Sequence, residues 1–336
     1  MTISDTNVST KAPREGLAVG LCTYKRLPSL MRLLDHIAIS AKALSSPPDI
    51  IIADNDGQDP AVAASVAEFS TRSGLTVHYR IETHPGISAA RNAVFDEAEK
   101  LNLRFVAMID DDEWPSPEWL SEMLKAQASE AAAVVGGPVR PVFPDNAAHL
   151  RKYSRYWSVD KQFLNGKPFV FCTCNFLIDL QAIAAIPRPL FDEEFGLSGG
   201  GDTVFFRGLF FAGMKMAWSE AAFVYEEVPQ SRASIAWMRQ RRFRVGNHAV
   251  RWESLDGGGR KSFAKTLGLS ARLVLYPFLQ REPESRMLGW MLEFDKVRGR
   301  YNAHFGDVFV EYARPKAEEA KPTETPKQED SGRVCR

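Results

Sequence analysis

The stretch Leu103-Arg104-Phe105-Val106-Ala107-Met108-Ile109-Asp110-Asp111-Asp112-Glu113 decides how this chain is read. An apolar run of strand character ends abruptly in four consecutive acids. Like charges crowded this closely repel, so the backbone gains something by holding them together. At the carboxyl end of a buried strand the usual gain is a divalent cation, bound by hard oxygen ligands. A solvated acidic loop is the competing reading.

Moving outward, apolar strand-like runs alternate with helix-like segments. Leu17–Cys22 reads as a buried strand, and a helix opened by Pro28 follows, with Leu30, Leu33, Leu34, Ile37, Ala41 and Leu44 at helical spacing. Ile50–Ala53 is a second strand, ending in the turn residues Asp54-Asn55-Asp56-Gly57. Ala61–Phe69 is helical, Leu75–Ile81 is a strand, and Pro85-Gly86 opens a helix over Ser88–Leu101. Arg104–Ile109 delivers the acids, and Ser116-Pro117 starts another helix, with Ser as cap and Pro at the first position. Such alternation predicts an α/β fold, a mainly parallel sheet covered by helices on both faces. Ligands of such sheets bind at the strands' carboxyl ends, where Thr23, Asp54, His84 and Asp110 all fall.

Beyond residue 131 the pattern changes. Ala132–Val139 and Pro168–Ile178 read as strands, Phe191–Gly201 as a glycine-rich loop, and Asp202–Ala212 as a helix closed by Gly213. Short strands over Met214–Trp218 and Ala222–Tyr225 precede three helical segments: Ser234–Arg251, Phe263–Leu279 and Ser285–Val297. Residues 1–15 and 313–336 have the composition of disordered segments.

The bulk numbers narrow the class. At 336 residues the chain can bury a large core. No signal peptide and no membrane-length apolar run is apparent, and Arg272 interrupts the nearest approach, Leu267–Leu279. Cys22, Cys172, Cys174 and Cys335 show neither a disulfide framework nor zinc spacing, which points to reduced thiols in a cytoplasmic protein. The net charge of zero hides an asymmetry, because residues 232–300 hold 15 Lys or Arg against 6 Asp or Glu. That surplus suits an anionic membrane surface, a pyrophosphate or nucleic acid, or else a solvated helix face; no nucleic-acid motif accompanies it.

Five constellations carry chemistry. Alternate carboxylates among Asp110, Asp111 and Asp112 can hold Mg²⁺ or Mn²⁺ and a ribose hydroxyl. Asp54 can accept from a nucleobase or ribose, or close an Asx-turn. Arg91, in the first turns after Gly86, can reach phosphate or form a surface ion pair. Gly199-Gly200-Gly201 allow close backbone approach, and Asp202 after them suits a general base or a helix N-cap. Arg239-Gln240-Arg241-Arg242-Phe243-Arg244 suits a diphosphate or anionic lipid.

In this order the pieces resemble a family 2 glycosyltransferase with the GT-A fold. The matching stretches are Val19–Arg26, Ile51–Gly57, Pro85–Asn92, Asp110–Glu113 and Gly200–Thr203, within about residues 16–250, and the nearest subgroup is the succinoglycan-type glucosyltransferases of bacterial surface-polysaccharide assembly. The resemblance implies a GT-A domain over 16–231 (nucleotide half 16–131, acceptor half 132–231), then a basic helical extension over 232–312. It implies that Thr23, Tyr24, Arg26, Asp54, Asp56, Arg91, Asp110 and Asp111 bind the donor, a nucleotide sugar with UDP-sugars foremost. Asp112 would hold the metal, and Asp202 would deprotonate the acceptor hydroxyl in a single inverting displacement. Gly200, Gly201, Arg239 and Arg242 would meet the acceptor, a saccharide or lipid-linked saccharide, or the diphosphate. Three departures stand out. Gly201 replaces the usual Glu before Asp202, Arg-x-x-Arg-Phe at 239–243 replaces the Gln-x-x-Arg-Trp of processive synthases, and a terminal hydrophobic anchor is missing. These favour addition of one sugar and, at most, peripheral contact with the inner face of the cytoplasmic membrane. A sugar-phosphate nucleotidyltransferase would need a glycine-rich loop where Leu21–Arg26 has no glycine. A non-catalytic binding module would not need both Asp112 and Asp202.

Overall fold

The computed structural model describes residues 15–193, 200–255, 259–279 and 283–306. The terminal segments expected to be disordered lie outside these, Glu15 excepted, as does Gly199.

Four parallel strands form one half of the main sheet: β1 (Glu15–Thr23), β2 (Asp49–Asp54), β3 (Val77–Ile81) and β4 (Leu103–Asp110). The helices between them are α1 (Leu27–Ala41), α2 (Pro60–Ser73) and α3 (Ile87–Lys100). Leu30, Leu33, Leu34 and Ile37 of α1 are fully buried on one face of the sheet, as their spacing requires, and Ala90, Ala93 and Val94 of α3 fill the other. The sheet continues through β6 (Val134–Gly136), β10 (Asn175–Asp179) and β11 (Met216–Trp218), in the order β11-β6-β10-β4-β1-β2-β3. Only β10 runs antiparallel, with Asn175 opposite Ile109. Its amino end therefore meets the carboxyl end of β4, where the acids emerge.

A second sheet of three strands sits beside that edge. Its members are β5 (Glu113–Pro115), β7 (Val139–Val142) and β12 (Val224–Glu227), with β12 in the middle. Two expectations change here. The single strand over Ala132–Val139 splits at Gly137-Pro138 into β6 and β7, which join different sheets. Pro138 has no N–H to donate, and Gly137 lies so close to Ala222 that a Cβ would stand 2.1 Å from its carbonyl oxygen. Ser116 is not a side-chain cap: α4 (Trp119–Glu130) starts later, because the Ser116 N–H donates to the Phe223 carbonyl (3.1 Å) and prolongs the extended run of β5.

A 3-10 segment (Asp145–Tyr156) and a hairpin of β8 (Gln162–Leu164) and β9 (Lys167–Phe169) fill residues 140–170, and α5 (Gly201–Phe211) precedes β11. The basic segment forms α6 (Ile235–Leu255), α7 (Gly259–Leu279) and α8 (Pro283–Phe305). Helices α6 and α8 approach through glycine. A Cβ on Gly246 would stand 2.0 Å from the Lys296 carbonyl oxygen, and one on Gly299 2.0 Å from that of Phe243. Phe143, Leu150, Trp157, Met238, Leu288 and Leu292 join these helices to the α/β body in one apolar cluster. Among the described residues no helix is long and apolar enough to cross a membrane.

Candidate active site

The acids leave β4 between the parallel β1 and the antiparallel β10, and the carboxyl end of β1 beside them supplies their first partners. Thr23, last residue of β1, donates its hydroxyl to Asp111 (2.8 Å). Three residues on, one Arg26 nitrogen donates to both Asp111 (2.9 Å) and Asp112 (2.8 Å). Lys25 has a positive φ of 57°, rare for a residue with a Cβ, and this bend turns Arg26 back over the acids. The guanidinium lies where a cation bridging two carboxylates would lie. Tyr24 is exposed beside it, with the Lys25 ammonium 5.1 Å from its ring.

The β2 turn is bound differently. Asp54 is buried, and each of its oxygens is engaged: one accepts from the N–H groups of Asp56 (2.9 Å) and Gly57 (3.2 Å), the other from the Tyr79 hydroxyl (2.5 Å). Asp54 thus makes the Asx-turn that gives the loop its shape. Asp56 turns back to Lys25 (3.5 Å). Asn55 latches this loop to the next, donating to the carbonyls of Glu82 (3.0 Å) and His84 (2.7 Å) and accepting from the Gly86 N–H (2.9 Å). Gly86, at φ 124°, opens α3 and so sets Arg91 one turn inside. Arg91 lies 3.8 Å from Asp110 and over the Phe191 ring at 5.7 Å. Neighbouring Asn92 holds the Phe191 backbone by two hydrogen bonds (2.8 and 2.9 Å).

Tertiary pairing adds residues that no local motif marks. In the small sheet Glu226 lies opposite Glu113, which brings a further carboxylate to the acids. Burial pushes the Asp110 carboxyl up to about 7; Arg91 opposes the shift, and Asp112, Asp111 and Glu226 add to it. The side chain still keeps 41% of its surface exposed, so a cation binding there would lower the value again. Glu113 and Glu226 are raised too, first by burial and then by the neighbouring acids. Arg232, just before α6, pairs with Glu226 at 3.4 Å, and Arg241 of α6 is close enough to feel the same carboxylate: burial lowers its proton affinity, and the Glu226 charge opposes this.

Five carboxyl groups, Asp110–Asp112, Glu113 and Glu226, crowd this end of the sheet, and burial together with their mutual repulsion makes Asp110, Glu113 and Glu226 hard to ionise there. That crowding, with Arg26 bridging Asp111 and Asp112 as a cation would, fits a hard divalent ion. Among the described residues no three ligating side chains converge to hold an ion by themselves; Mg²⁺ shared with substrate phosphates needs only one or two carboxylates.

Asp202 stands in the first turn of α5 and accepts from the Thr203 N–H (2.7 Å). The Thr203 hydroxyl donates to the Phe171 carbonyl (3.0 Å), in the segment leading into β10. Because β10 starts opposite Ile109, this bond ties Asp202 to the same end of the sheet as Asp110–Asp112. The Cys172 and Cys174 sulfurs, 3.0 Å apart, lie on that segment. Gly200, at φ 88°, backs onto Trp252 of α6. Arg239 and Arg242 are engaged elsewhere, by Asp295 (2.7 Å) and Glu293 of α8. Sequence reasoning had no signal for Glu226, or for Arg241 over its neighbours: the first depends on strand pairing across more than a hundred residues, the second on helix rotation.

The sequence model of the family Glycosyl transferase family 2 matches residues 18–186. Succinoglycan biosynthesis protein ExoM of Rhizobium meliloti (strain 1021) is 33% identical over 275 residues, covering 78% of this chain and 86% of that protein. Among solved structures, the mannosyltransferase PcManGT from Pyrobaculum calidifontis in complex with GDP-Man and Mn²⁺ aligns with a TM-score of 0.54 at 16% identity, over 87% of this chain and 88% of its own. S. aureus TarS 1-349 in complex with UDP aligns with a TM-score of 0.48 at 13% identity, over 86% and 90%. The order of strands, the single antiparallel member and the acids at the end of β4 agree with the sequence match: the chain belongs to glycosyl transferase family 2 and has the GT-A fold.

Proposed function

We propose that the chain moves one sugar from a nucleotide-sugar donor to a saccharide acceptor, lipid-linked, in the assembly of a bacterial surface polysaccharide, with inversion at the anomeric carbon. The observation that carries this reading is the joint placement of Asp110–Asp112 and Asp202 at one end of the sheet, through the β4–β10 pairing and the Thr203–Phe171 bond. The likeness to a succinoglycan biosynthesis protein supports the polysaccharide assignment. The fold likeness to a mannosyltransferase solved with GDP-Man and Mn²⁺ supports a nucleotide-sugar donor and a divalent ion.

In this reading Asp112, with Asp110 beside it, would hold Mg²⁺ or Mn²⁺, which would supply positive charge to offset that on the departing nucleoside diphosphate. Thr23, Tyr24 and the loop shaped by Asp54, Asn55 and Asp56 receive the nucleoside. Asp111, held by Thr23 and Arg26, orients those groups, and Arg91 faces the diphosphate from the start of α3, where backbone N–H groups also favour an anion. Arg241 supplies a second guanidinium from the other side. The Asp202 carboxylate takes the proton from the acceptor hydroxyl as it attacks the anomeric carbon from the face opposite the leaving group. Gly201 leaves room for the acceptor beside it, whereas Gly200 packs against Trp252.

The test is a donor screen followed by one substitution. Purified protein with Mn²⁺ is heated against UDP-, GDP- and TDP-sugars, since a ligand of the folded state raises the melting point. Asp202→Asn is expected to keep the donor's shift and lower transfer by about 10²–10⁴-fold, with wild-type product inverted by NMR. Normal turnover by Asp202→Asn would remove the base assignment, and retained configuration would remove the single displacement.

A further inference from the structure

Helix α7 is packed inside out. The residues its inward stripe buries fully are polar: Ser262 and Thr266 are buried there, beside half-buried Phe263, Leu269 and Leu273, and Ser270 meets the Tyr301 hydroxyl at 3.1 Å. The buried guanidinium of Arg300 on α8 holds that stripe, donating to the Thr266 hydroxyl (2.8 Å), the Ser262 carbonyl (3.0 Å) and the Ser262 hydroxyl (3.2 Å). The outward stripe is apolar. Ala264, Leu267, Ala271, Val274 and Leu275 follow helical spacing on the exposed side, with Leu267 49%, Leu275 56% and Val274 72% exposed. A helix on a water-facing surface normally shows the reverse arrangement. Near the same end, where the Trp290 indole donates to the Leu273 carbonyl (3.2 Å), α8 adds the exposed Met287.

The charges on α7 select the medium that covers this stripe. Arg260, Lys261, Lys265 and Arg272 are its only charged residues, and it has no acid. Lys265 pairs with Glu253 of α6 (2.7 Å), whereas Arg260, Lys261 and Arg272 stand exposed. On a helical projection Lys261, Lys265 and Arg272 border one edge of the apolar stripe. A second copy of the chain would bring the same positive charges against these. A polar, negatively charged face would leave the leucines and valine without partners.

We propose that the outer face of α7 lies in the interface of an anionic lipid membrane. Leu267, Val274, Leu275 and Met287 enter the acyl boundary, and Lys261 and Arg272 meet the anionic headgroups. The inference rests on the surface of this helix and not on the transfer reaction, although such docking would present the cleft to a lipid-linked acceptor.

The experiment uses the full chain, without nucleotide sugar or acceptor, and vesicles of phosphatidylcholine with and without phosphatidylglycerol. Co-sedimentation with the anionic vesicles is expected, with little on phosphatidylcholine alone. It should fall as added salt shortens the screening length from about 10 Å at 0.1 M to about 3 Å at 1 M. Val274→Glu with Leu275→Glu should weaken binding by about tenfold or more, the scale on which burial of such side chains shifts an equilibrium. Lys261→Glu with Arg272→Glu should weaken it several-fold, and Phe163→Glu, on the exposed β8–β9 hairpin, should leave it unchanged. Because all these side chains are exposed, circular dichroism and melting points should match wild type, and the two α7 pairs test the idea independently if either misfolds. Failure to bind anionic vesicles, or binding unmoved by both α7 variants, overturns the proposal. So does a concentration-dependent dimer that the Val274 and Leu275 substitutions dissolve in a protein with no lipid affinity. A donor-driven thermal shift in the same preparation keeps any such failure separate from the transferase reading.

Discussion

Arg300→Met tests the hub that decides which side of α7 faces out. The Arg300 side chain is 1% exposed and donates to Glu253 of α6 (2.6 Å) as well as to Ser262 and Thr266 of α7. Methionine keeps most of the volume and removes every donor. Breaking a buried ion pair from one side costs about 3–5 kcal/mol. Glu253 keeps Ser262 (2.6 Å) and Lys265 (2.7 Å), which sets the expectation at the lower end, about 3 kcal/mol. The acid range provides an internal check. Burial raises the Glu253 carboxyl, but hydrogen bonds from Arg300, Lys265 and Ser262 outweigh this and hold it down, from 4.5 to about 2. A depressed carboxyl contributes stability that is fully present above the ordinary carboxylate range and is lost as pH falls through its folded value. That shift corresponds to about 3 kcal/mol by linkage, and to about half of that once screening around the partly solvated carboxylate is allowed for. Urea unfolding of wild type and Arg300→Met is therefore expected to show a gap that is constant from pH 7 to 5 and narrows as pH falls toward 2 by less than about 1.5 kcal/mol, because Lys265 and Ser262 still hold the carboxyl down in the variant. A gap below about 0.5 kcal/mol at pH 7, or one that stays constant down to the acid limit, refutes the reasoning.

Four further outcomes follow from the site and its support. Asp112→Ala should abolish the Mn²⁺-dependent part of donor binding, measured as the thermal shift by donor with and without metal, while leaving the melting point of the free protein near wild type; an unchanged metal dependence places the ion elsewhere. Arg241→Met should lower kcat/KM by about tenfold or more, chiefly through donor KM, as expected for loss of a charge-assisted contact of about 1.5–3 kcal/mol. Arg239→Met should instead lower the unfolding midpoint and spare KM, because it strips the fully buried Asp295 of its main partner; equal KM effects from the two would show that both reach the donor. Gly246→Ala forces a Cβ to within 2.0 Å of the Lys296 carbonyl, so α6 and α8 must separate. A loss of about 1–3 kcal/mol in urea unfolding is expected, and an unchanged midpoint would mean that the helices part freely.

Much of this protein is local and was readable as such. Strands β1, β2 and β4 are buried on both faces, so they appear as unbroken apolar runs. The acids, the Asp54 turn and the Gly86 helix start all lie at strand ends because parallel connections put loops there. The termini of α1 and α3 followed from Pro28 and Pro85-Gly86. Ser116 misled for an equally local reason: capping chemistry was present, but its N–H was already committed to the sheet through Phe223.

What the residues alone determined is the kind of fold and the group of side chains offered at one end of its sheet, since apolar periodicity and turn chemistry act over a few residues. Which distant groups join them, and which faces are left outside, is settled by packing between elements far apart in the chain. Glu226 reaches the acids through the β12–β5 pairing, which no periodicity encodes. The rotation of α6 gives Arg239 and Arg242 to α8 and leaves Arg241 facing Glu226. In α7, helical spacing announces two unlike faces but not which of them turns inward. The buried Arg300, needing acceptors, drew the serine and threonine stripe to itself and left leucine and valine exposed.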